Sequence, residues 1–426
     1  MTPTPSSVVI VGAGLAGAKT AEHLRAAGFD RAITLLGREE HRPYERPPLS
    51  KAGLIQGAVP DDDLFVHPPS WYAEHEVDLR LGCTVDAVDV GGRTLSTTSQ
   101  HGARTFAFDV LVLATGSSPR HLDVPGADLS GIHHLRTLDD SRRLRAALTR
   151  RPRVVLIGGG WIGLEVAAAA VTLGASVTVL EAGGMPLSTV LGERLASVLV
   201  AAHRERGVDV RTHVDVTGFT GGQDGRVAAV RLADGTIVPA DVVVIGVGAV
   251  PNAELARSMG LALDGGVQTD EFLRTSHPGV LAVGDIAHAW HPVLERRVHV
   301  EHWANALNQP QTAAATITGG RTAYDRLPYF YSDQYDLGLE YTGHVGRGDV
   351  TELVVRGDER SGAFTAFWLR EGRVAAGMSV NVWDQMDGIQ ALIRSRAKVS
   401  ATRLGDPRTP LGEVVTEPRQ ARPALS

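Results

Sequence analysis

The same strand–turn–helix pattern occurs twice in this sequence. In each copy, four apolar residues run straight into the glycine pattern G-x-G-x-x-G, which occupies residues 12–17 and again residues 158–163. A short apolar run that ends in glycine is typical of a buried parallel strand. The glycines permit a tight turn, a close backbone approach to a ligand and close helix packing, and the start of the following helix suits a pyrophosphate. Because a further apolar run follows each helix, at residues 33–36 and 176–180, the repeat predicts two dinucleotide sites.

The residue after the second strand of each copy indicates which coenzyme fits. In the second copy this residue is Glu181, an acid that would hold a ribose 2′-hydroxyl and repel a 2′-phosphate. Residues 182–185, which follow it, include no arginine for such a phosphate. The second site is therefore predicted to prefer NADH to NADPH. In the first copy Gly37 stands at the matching place, so Arg38 or Glu39 must supply the ribose contact.

The composition is that of a globular protein, and it excludes several classes of function. Of the 426 residues, 43% are hydrophobic and 21% are charged, and a net charge of −6 gives no reason to expect a nucleic acid or a membrane as partner. No signal peptide or membrane-spanning run is recognisable. A single cysteine, Cys83, excludes an internal disulfide and indicates a reducing compartment, so we expect a cytoplasmic protein. The 16 histidines show no metal-ligand spacing with that cysteine, and no metal site is expected.

Several further segments fill out the predicted organisation between the two glycine patterns and after them. Residues 37–63 form a proline-marked connection without elements of its own, of a length that is often functional. Residues 79–85, with pieces near Arg93 and Phe106, suggest short antiparallel strands, and residues 139–150 a helix. Further buried strands that end in small-residue turns are predicted at 109–113, 240–247 and 280–283. After the last of them, Asp285 either caps a helix or accepts a ligand hydroxyl.

From Pro328 onward the character of the sequence changes. Aromatic residues cluster, strand-like runs follow at 351–356 and 363–369, and a helix is predicted at 384–395. This pattern indicates a third, α+β module. Beyond about residue 400, prolines and the lack of periodicity suggest a poorly ordered tail.

Taken together, these motifs resemble those of the FAD-dependent NADH:ferredoxin reductases. This is the family of the putidaredoxin, rubredoxin and biphenyl-dioxygenase ferredoxin reductases, and it is related to apoptosis-inducing factor. The resemblance covers nearly the whole chain. Besides the glycine patterns it rests on RPPLSK at 46–51, ATG at 114–116, LRT at 135–137, GD at 284–285, EHWANA at 301–306 and YSDQY at 331–335. Tyr331 departs from it, since many relatives have tryptophan there.

The resemblance implies a fold and a domain organisation. The fold is α/β, with two Rossmann-like dinucleotide-binding domains arranged as in glutathione reductase but without a redox disulfide, and with a C-terminal α+β domain. The implied boundaries are a discontinuous FAD-binding domain at 1–117 and 250–327, an NADH-binding domain at 118–249, the C-terminal domain at 328–400 and a tail at 401–426.

The resemblance also implies, position by position, which residues bind the coenzymes. FAD, expected to be tightly bound, would be held by Gly12, Gly14, Ala16, Gly17, Arg38, Glu39, Arg46, Lys51, Val85, Ala114, Thr115, Gly116, Arg136, Gly284, Asp285 and Trp303. NADH would be held by Gly158, Gly160, Trp161, Ile162, Gly163, Glu165, Glu181, Gly246, Val247 and Gly248.

Lys51 and Glu165 are the residues expected to be catalytic. Lysine is usually a solvated surface residue, but the resemblance places Lys51 near the flavin, where its ammonium can stabilise the reduced ring. Glu165 lies one turn into an apolar helix and is either a helix-dipole carboxylate or, as we expect, a partner of Lys51 that orders the nicotinamide pocket. Trp303 is either core or presents its backbone amide near the flavin. Arg136 is either a surface ion-pair partner or neutralises the FAD pyrophosphate.

The implied activity is that of an NADH:ferredoxin oxidoreductase. Electrons would pass from NADH through FAD to a small iron–sulfur ferredoxin that serves a cytochrome P450 or a ring-hydroxylating dioxygenase, and the protein would be a monomer or a weak dimer. The lone Cys83 is expected to be a small core residue, which removes the dithiol relay of glutathione reductase relatives. Three alternatives stay open: a rubredoxin as acceptor, direct reduction of a quinone or O₂, and redox signalling of the apoptosis-inducing-factor kind.

Overall fold

The computed structural model describes residues 5–57, 59–346, 348–349 and 351–417. In this part of the chain, contacts group the residues into two compact units, neither of which is continuous in sequence. The first unit comprises Met1–Pro48, Ala58–Ser118 and Ala249–Pro328, and the second comprises Leu49–Gly57, Pro119–Gly248 and Tyr329–Ser426. The predicted division into FAD, NADH and C-terminal domains is finer than these units, and it stays a prediction.

A parallel sheet forms the centre of the first unit. Its strands are nearly continuous runs of Val, Ile and Leu because both faces are covered. Across the sheet the strands follow the order Val280–Ala282, Val110–Leu113, Ser7–Val11, Ala32–Leu36 and Val77–Arg80. The strands predicted at 8–11, 33–36, 109–113 and 280–283 are thereby confirmed. The strands at 8–11, 109–113 and 280–283 lead into turns that contain small residues at their carboxyl ends, where α/β sheets bind ligands.

The first unit also contains helices and smaller sheets. The helices are Leu15–Ala26, Asp61–Leu64, Pro69–Glu74, Glu254–Ser258 and Trp303–Ile317. One smaller sheet joins Cys83–Asp89, Thr94–Ser99 and Gly102–Ala107, and another joins Val267–Thr269, Ala287–His291 and Arg296–Val298. The helices Leu15–Ala26 and Trp303–Ile317 bury small residues such as Ala21 and Ala313 in a shared core, so they approach closely.

A second parallel sheet lies at the centre of the second unit. Its strand order is Asp209–Thr212, Ser176–Glu181, Arg153–Ile157, Val242–Ile245 and Ile132–His133. Its helices are Ala52–Gln56, Leu138–Leu148, Trp161–Thr172 and Ser188–Glu205, and a small antiparallel sheet joins Val216–Gly221, Val227–Leu232 and Ile237–Pro239. The predicted strands at 154–157, 176–180 and 240–247 are confirmed, the last in the shorter range Val242–Ile245.

The C-terminal part of the second unit is an antiparallel sheet with helices. The strand order is Tyr329–Gln334, Leu337–Gly343, Arg373–Val380, Ala363–Arg370 and Glu352–Asp358, and the helix Met386–Ser395 follows. Leu164 and Leu195 share a buried core with Tyr341 and Phe364 of this sheet. The predicted fold class is therefore confirmed, and none of the helices in the described ranges is long and apolar enough to cross a membrane.

One expectation about the first third of the chain is wrong, and another is only partly right. The connection 37–63 is not without structure, since it contains the short helices Pro47–Ser50, Ala52–Gln56 and Asp61–Leu64. Proline is favoured in the first turn of a helix, so Pro47 and Pro48 begin a helical turn here. The antiparallel strands expected from 79–85 and from the pieces near Arg93 and Phe106 are found at Cys83–Asp89, Thr94–Ser99 and Gly102–Ala107. The start of the segment 79–85 instead belongs to Val77–Arg80, which extends the parallel sheet.

The expectation of a poorly ordered tail is wrong for residues 401–417. Ser400 caps the helix Ala401–Gly405, and the strand Val415–Glu417 pairs with Lys398–Val399. Two apolar side chains, Leu404 and Val414, are completely buried and hold this segment against the rest of the protein. The sequence of the segment has no apolar periodicity that would have indicated this burial. Residues 418–426 of the predicted tail lie outside the described residues.

Candidate functional site

The first glycine pattern forms a turn in which only glycine fits at the first and last positions. Gly12 has a φ of +115°, and a Cβ there would lie 2.1 Å from the carbonyl oxygen of Ala114. A Cβ on Gly17 would lie 2.0 Å from the carbonyl oxygen of Gly12, so the helix packs directly on the turn. At Gly14, by contrast, no atom of the described residues lies within 4 Å of the Cβ position. The outer glycines serve packing, and the middle glycine faces open space.

The second glycine pattern repeats this geometry in the second unit. Gly158 has a φ of +96°, and its Cβ would lie 2.4 Å from the carbonyl oxygen of Gly246. A Cβ on Gly163 would meet the carbonyl oxygen of Gly158 at 2.3 Å, whereas the described residues leave the space around Gly160 open to 4 Å. Each unit thus contains the same arrangement, which we call the glycine cradle: Gly12, Gly14 and Gly17 in the first unit, and Gly158, Gly160 and Gly163 in the second.

Each glycine cradle opens onto the start of a helix. Gly14 and Gly160 hold the N-cap positions of Leu15–Ala26 and Trp161–Thr172, and glycine has no side chain with which to cap the free amides. Those amides and the positive end of the helix dipole are left for an anionic ligand. The residues present therefore fit the pyrophosphate of a dinucleotide such as FAD or NADH in both units.

The acid at the end of the second strand of the second unit is held rigidly. One carboxylate oxygen of Glu181 accepts a hydrogen bond from the amide of Gly159 at 2.8 Å, and the other accepts one from the amide of Gly183 at 2.9 Å. The carboxylate therefore lies beside the glycine cradle with its orientation fixed by backbone. A negative charge at this place accepts a ribose hydroxyl and repels a phosphate.

In the first unit the corresponding carboxylate is that of Glu39. It accepts hydrogen bonds from the Tyr44 hydroxyl at 2.5 Å and from the Arg46 guanidinium at 2.8 Å, whereas Arg38 is exposed. Burial acts to lower the pKa of Arg46, but Tyr44 and Glu39 raise it above its usual value. Of the two open choices, Glu39 belongs to a defined polar cluster. Its contact with the FAD ribose stays a prediction.

Asp285 does not cap a helix, and that alternative is wrong. It lies in a single 3-10 turn, Gly284–Ile286, which leads into a strand. Its carboxylate accepts a hydrogen bond from the Ser117 hydroxyl at 3.2 Å, just after the predicted turn 114–116. Within that turn, the Thr115 hydroxyl donates to the carbonyl of Asn252 at 2.9 Å. These two contacts connect the turn after Val110–Leu113 with Asp285 and with Asn252 in the first unit.

Two other predicted FAD residues, Ala16 and Gly284, lie against each other in the first unit. A Cβ on Gly284 would lie 3.0 Å from the Cβ of Ala16, so the turn and the helix Leu15–Ala26 are in close contact. The amide of Gly284 donates to the side-chain oxygen of Gln309 at 2.7 Å. Gln309 is 1% exposed and was not singled out from the sequence.

Trp303 begins the helix Trp303–Ile317, as its predicted role requires. Its indole N–H donates to the carboxylate of Glu45 at 2.5 Å. Burial raises the pKa of Glu45 above its usual value, and the hydrogen bond from Trp303 opposes that rise. The ring is thus anchored within the first unit, and the proposed use of its backbone amide stays a prediction.

Lys51 and Glu165 form a buried ion pair in the second unit. The Lys51 ammonium lies 2.8 Å from the Glu165 carboxylate, and the side chains are 14% and 5% exposed. The hydroxyl of Ser50 donates to the same carboxylate at 2.5 Å, and that of Ser332 donates at 2.6 Å. The predicted pairing is confirmed. The catalytic role of the two residues stays a prediction.

Aromatic and acidic groups of the C-terminal sheet border this ion pair. The Lys51 nitrogen lies 5.3 Å from the centre of the Tyr331 ring, within the range of a cation–π contact. Burial raises the pKa of Asp333, with Glu165 acting in the same direction and Lys51 against it. A positive charge on Lys51 therefore lies among one carboxylate that pairs with it, a second acid nearby and an aromatic face.

The remaining predicted residues are distributed between the two units. Val85, on the strand Cys83–Asp89, and Gly116 belong to the first unit. Arg136 precedes the helix Leu138–Leu148 of the second unit, and its amide donates to Asp140. Trp161 packs on Phe330 with ring centres 4.9 Å apart, and Ile162 is 48% exposed. Val247 and Gly248 follow the strand Val242–Ile245 in the second unit.

Several polar residues that hold the predicted ones in place were not predicted from the sequence. These are Tyr44, Glu45, Ser50, Asn252, Gln309 and Ser332. Ser50 and Ser332 lie inside motifs that were quoted, RPPLSK and YSDQY, and could have been found there. Glu45, Asn252 and Gln309 contact distant parts of the chain, and no spacing rule connects them with their partners. Tyr44 lies only five residues from Glu39, but no motif signals that contact.

Comparison with known proteins adds the following findings. Residues 6–310 match the family described as pyridine nucleotide-disulphide oxidoreductase, and residues 329–415 match the one described as reductase C-terminal. The ferredoxin–NAD(+) reductase component of the anthranilate 1,2-dioxygenase system of Burkholderia cepacia is 40% identical over 400 residues, or 94% of this chain and 97% of that protein. Putidaredoxin reductase of Pseudomonas putida is 38% identical over 413 residues, 96% of each chain.

A similar structure has also been solved. The crystal structure of a covalent putidaredoxin reductase–putidaredoxin complex aligns with a TM-score of 0.91 and 37% identity, covering 96% of this chain and 98% of that one. A second, of a ferredoxin reductase from Rhodopseudomonas palustris, aligns with a TM-score of 0.90 and 34% identity, covering 96% and 100% of the two chains.

Proposed function

The chain belongs to the pyridine nucleotide-disulphide oxidoreductases that carry a reductase C-terminal domain, and we propose that it is an FAD-dependent NADH:ferredoxin oxidoreductase. The observation that carries this proposal is the duplicated glycine cradle, which offers a pyrophosphate site in each unit. A chain with one cysteine has no dithiol to relay electrons. Two dinucleotides, one of them a flavin, supply that chemistry instead.

We assign FAD to the first unit. When bound, FAD supplies a ring that accepts a hydride from NADH and releases electrons singly. The free amides after Gly14 bind the pyrophosphate, and Glu39 and Asp285 accept hydroxyl hydrogens. The predicted catalytic pair belongs to the second unit, where Glu165 orients the Lys51 ammonium, and a positive charge of this kind would favour a reduced, anionic flavin ring.

We assign NADH to the second unit. The free amides after Gly160 bind its pyrophosphate, and Glu181 accepts a hydrogen bond from the adenosine ribose. Because the Glu181 carboxylate is fixed by two backbone donors, it cannot turn away from a 2′-phosphate without losing both hydrogen bonds. The preference for NADH over NADPH follows from that cost.

We infer an iron–sulfur ferredoxin as the electron acceptor. Two similar proteins are named as a dioxygenase-system ferredoxin reductase component and a putidaredoxin reductase, and one similar structure is a reductase–putidaredoxin complex. The ferredoxin in turn would serve a cytochrome P450 or a ring-hydroxylating dioxygenase. The single cysteine suits a reducing compartment, and we propose a cytoplasmic location.

An anaerobic coenzyme titration tests the proposal. The purified protein is expected to be yellow, to lose its flavin absorbance rapidly with NADH and slowly with NADPH, and then to reduce an added [2Fe–2S] ferredoxin. Colourless protein, or equally slow bleaching with both coenzymes, would refute it. Tight coupling of NADH oxidation to the added ferredoxin, with little peroxide formed without it, separates this activity from direct O₂ reduction.

The Glu181→Gln variant tests the assignment of NADH to the second unit. Glutamine keeps the size and an acceptor oxygen but removes the charge, so we expect the kcat/KM ratio of NADPH to NADH to rise about tenfold. Glu193→Gln is the matched control, because Glu193 is an exposed acid on the helix Ser188–Glu205 of the same unit. An equal response of the two variants would contradict the assignment.

A further inference from the structure

A row of buried polar side chains continues from Glu165 into the C-terminal sheet. Ser332 and Gln334 on the strand Tyr329–Gln334 and His203 on the helix Ser188–Glu205 are each no more than 1% exposed. The Ser332 hydroxyl donates to Glu165, and the Gln334 amide donates to Ser332 at 3.2 Å. His203 Nε2 lies 2.9 Å from the Gln334 oxygen, and the Tyr335 hydroxyl lies 2.9 Å from His203 Nδ1.

The chemistry of the groups sets the direction of every hydrogen bond in this row. A carboxylate only accepts hydrogen bonds, so the Ser332 hydroxyl donates its single hydrogen to Glu165 and must accept a hydrogen bond from the next group in the row. That group is the NH₂ of Gln334, which turns the amide oxygen toward His203. An amide oxygen only accepts, so His203 carries its proton on Nε2. Burial lowers the pKa of His203 and keeps the ring neutral, which leaves Nδ1 to accept from Tyr335.

We propose that Ser332, Gln334, His203 and Tyr335 form a one-way hydrogen-bond relay that fixes the orientation of the Glu165 carboxylate and thereby positions the Lys51 ammonium. The four are positioning residues, since only Ser332 contacts the ion pair. The effect on flavin chemistry rests on the proposed function, whereas the direction of the relay does not. Hydrogen bonds that point the same way polarise one another, so the whole row holds the Glu165 carboxylate in place more firmly than Ser332 would alone.

The far end of the relay lies near the surface of the same unit. The Arg206 guanidinium lies 4.3 Å from the centre of the Tyr335 ring and forms an ion pair with Asp336. A cation over the ring makes the phenol a better donor toward His203. Burying the polar side chains of Ser332, Gln334 and His203 without hydrogen bonds would destabilise the folded protein. The relay gives each of the three a hydrogen-bond partner and also holds the ion pair in place.

The protonation site of His203 tests the relay directly in the FAD-loaded protein. With ¹⁵N-labelled histidine, long-range ¹H–¹⁵N NMR at neutral pH is expected to show the His203 ring in the neutral Nε2–H form. The His203 signals are assigned by their loss in the His203→Gln variant. Ser332→Ala removes the hydroxyl that fixes the orientation of the Gln334 amide. The amide can then turn its NH₂ toward His203, so the Nδ1–H form of His203 should appear beside the Nε2–H form. An Nδ1–H or doubly protonated ring in the unchanged protein, or an unchanged ring in Ser332→Ala, would overturn the proposal.

Stopped-flow reduction by NADH tests what the relay does. Ser332→Ala removes a hydrogen bond to a charged group, so we expect flavin reduction at saturating NADH to slow about tenfold with little change in the NADH concentration needed for half-saturation. Ser379→Ala is the matched control, since Ser379 is equally buried on the same sheet but pairs with Thr365 instead. Equal rates for the two variants, each corrected for flavin content, would overturn the positioning role. A protein that NADH does not reduce at all would refute the proposed function, while the His203 spectrum would still report on the relay.

Discussion

At the scale of single residues, the Glu165 carboxylate is stabilised by more than its lysine. An ion pair removed from water loses hydration that the mutual attraction of the charges only partly restores, unless further hydrogen bonds satisfy the oxygens. The hydroxyls of Ser50 and Ser332 supply those bonds at 2.5 and 2.6 Å. Removing one charge from this group should therefore cost more than breaking an ion pair on the surface.

We expect Lys51→Met to lower the free energy of unfolding by about 3 kcal/mol, because it leaves Glu165 buried with an uncompensated charge. The matched control is Arg211→Met, which breaks an ion pair with Asp209 whose side chains are 38% and 49% exposed. That change should cost less than about 1 kcal/mol. Urea unfolding followed by circular dichroism measures both. Similar losses for the two variants would show that burial does not set the cost.

The ion pair was predictable from sequence, but its hydroxyl partners and the relay were not. The family resemblance implies that Lys51 lies near the flavin and Glu165 near the nicotinamide, and a pairing of the two is expected on that ground. Ser332 and His203 approach Glu165 only because a strand and a helix from distant parts of the chain pack on the helix Trp161–Thr172. No local rule of spacing carries that information.

At the scale of elements, the two glycine cradles separate the needs of folding from those of binding. Gly12 and Gly158 meet carbonyl oxygens of a neighbouring strand end, so a side chain there disturbs the sheet. Gly14 and Gly160 face open space with negative φ, so a side chain there disturbs only a ligand. Substituting alanine at these positions should distinguish the two roles.

Gly160→Ala is expected to leave the free energy of unfolding within about 0.5 kcal/mol of the original. The same change should raise the NADH concentration needed for half-maximal flavin reduction about tenfold, because the methyl group occupies the approach of the pyrophosphate. Gly158→Ala is the paired variant, and its clash with Gly246 and positive φ should cost about 3 kcal/mol of stability. Equal destabilisation by the two alanines, measured in urea, would contradict this division.

A charged cluster on the helix Leu15–Ala26 predicts a dependence of stability on pH. Glu22 lies 3.1 Å from His67 Nε2 and 2.7 Å from the Lys19 ammonium, and the contact with His67, assisted by Lys19 and opposed by burial, lowers the pKa of Glu22 to about 2. The unfolded chain takes up this proton first, near its ordinary pKa of 4.5. The stabilisation is therefore complete above about pH 4.5 and is lost as the pH falls toward about 2.

Glu22→Gln should accordingly be less stable than the unchanged protein near neutral pH, by about 1 kcal/mol at most because the groups are partly exposed. The difference should narrow as the pH is lowered from about 6 to about 3. Glu74→Gln, which changes an exposed acid of the same unit, should show no such trend. Urea unfolding at several pH values measures it, and a difference that stays constant with pH would argue against the assigned contacts.

Elements with strong apolar periodicity were predictable, and those defined by tertiary contacts were not. Both central sheets could be predicted from short apolar runs such as 8–11 and 154–157, because such runs are stable only when they are buried. The helix Ala52–Gln56 is five residues long, and the carbonyls of Leu54 and Ile55 near its end accept from Arg145, far along the chain. The helix Ala401–Gly405 and the strand Val415–Glu417 likewise depend on contacts with other residues, the cap by Ser400 and the pairing with Lys398–Val399. The prolines in this part of the sequence give no sign of those contacts.

At the scale of the whole molecule, the single cysteine separates this chain from the disulfide chemistry in its family's name. Cys83 is buried at the start of an antiparallel strand, in a cluster with Leu95 and Leu113. It is unpaired, and its surroundings are apolar. Electron transfer is therefore assigned to bound coenzymes and not to sulfur.

Cys83→Ala is expected to keep the rate of NADH-dependent ferredoxin reduction within about twofold of the original and to cost about 1 kcal/mol of stability from the small cavity. Treatment of the folded, unchanged protein with N-ethylmaleimide should likewise leave that rate unaltered, because the thiol is 7% exposed. Ferredoxin reduction and urea unfolding measure the two effects. Loss of turnover in Cys83→Ala without loss of flavin would show that the thiol takes part after all.

The short segment Leu49–Gly57 belongs to the second unit although the chain on either side of it belongs to the first. A fragment cut to contain only residues 119–248 would keep Glu165 and Glu181 but lack Lys51, Ser50 and Ser332. Such a truncation would dismantle the ion pair before any coenzyme was added. A smaller version of this enzyme that keeps the ion pair therefore cannot be obtained by shortening the chain from its ends. The segment Leu49–Gly57 would have to be joined to the rest of the second unit.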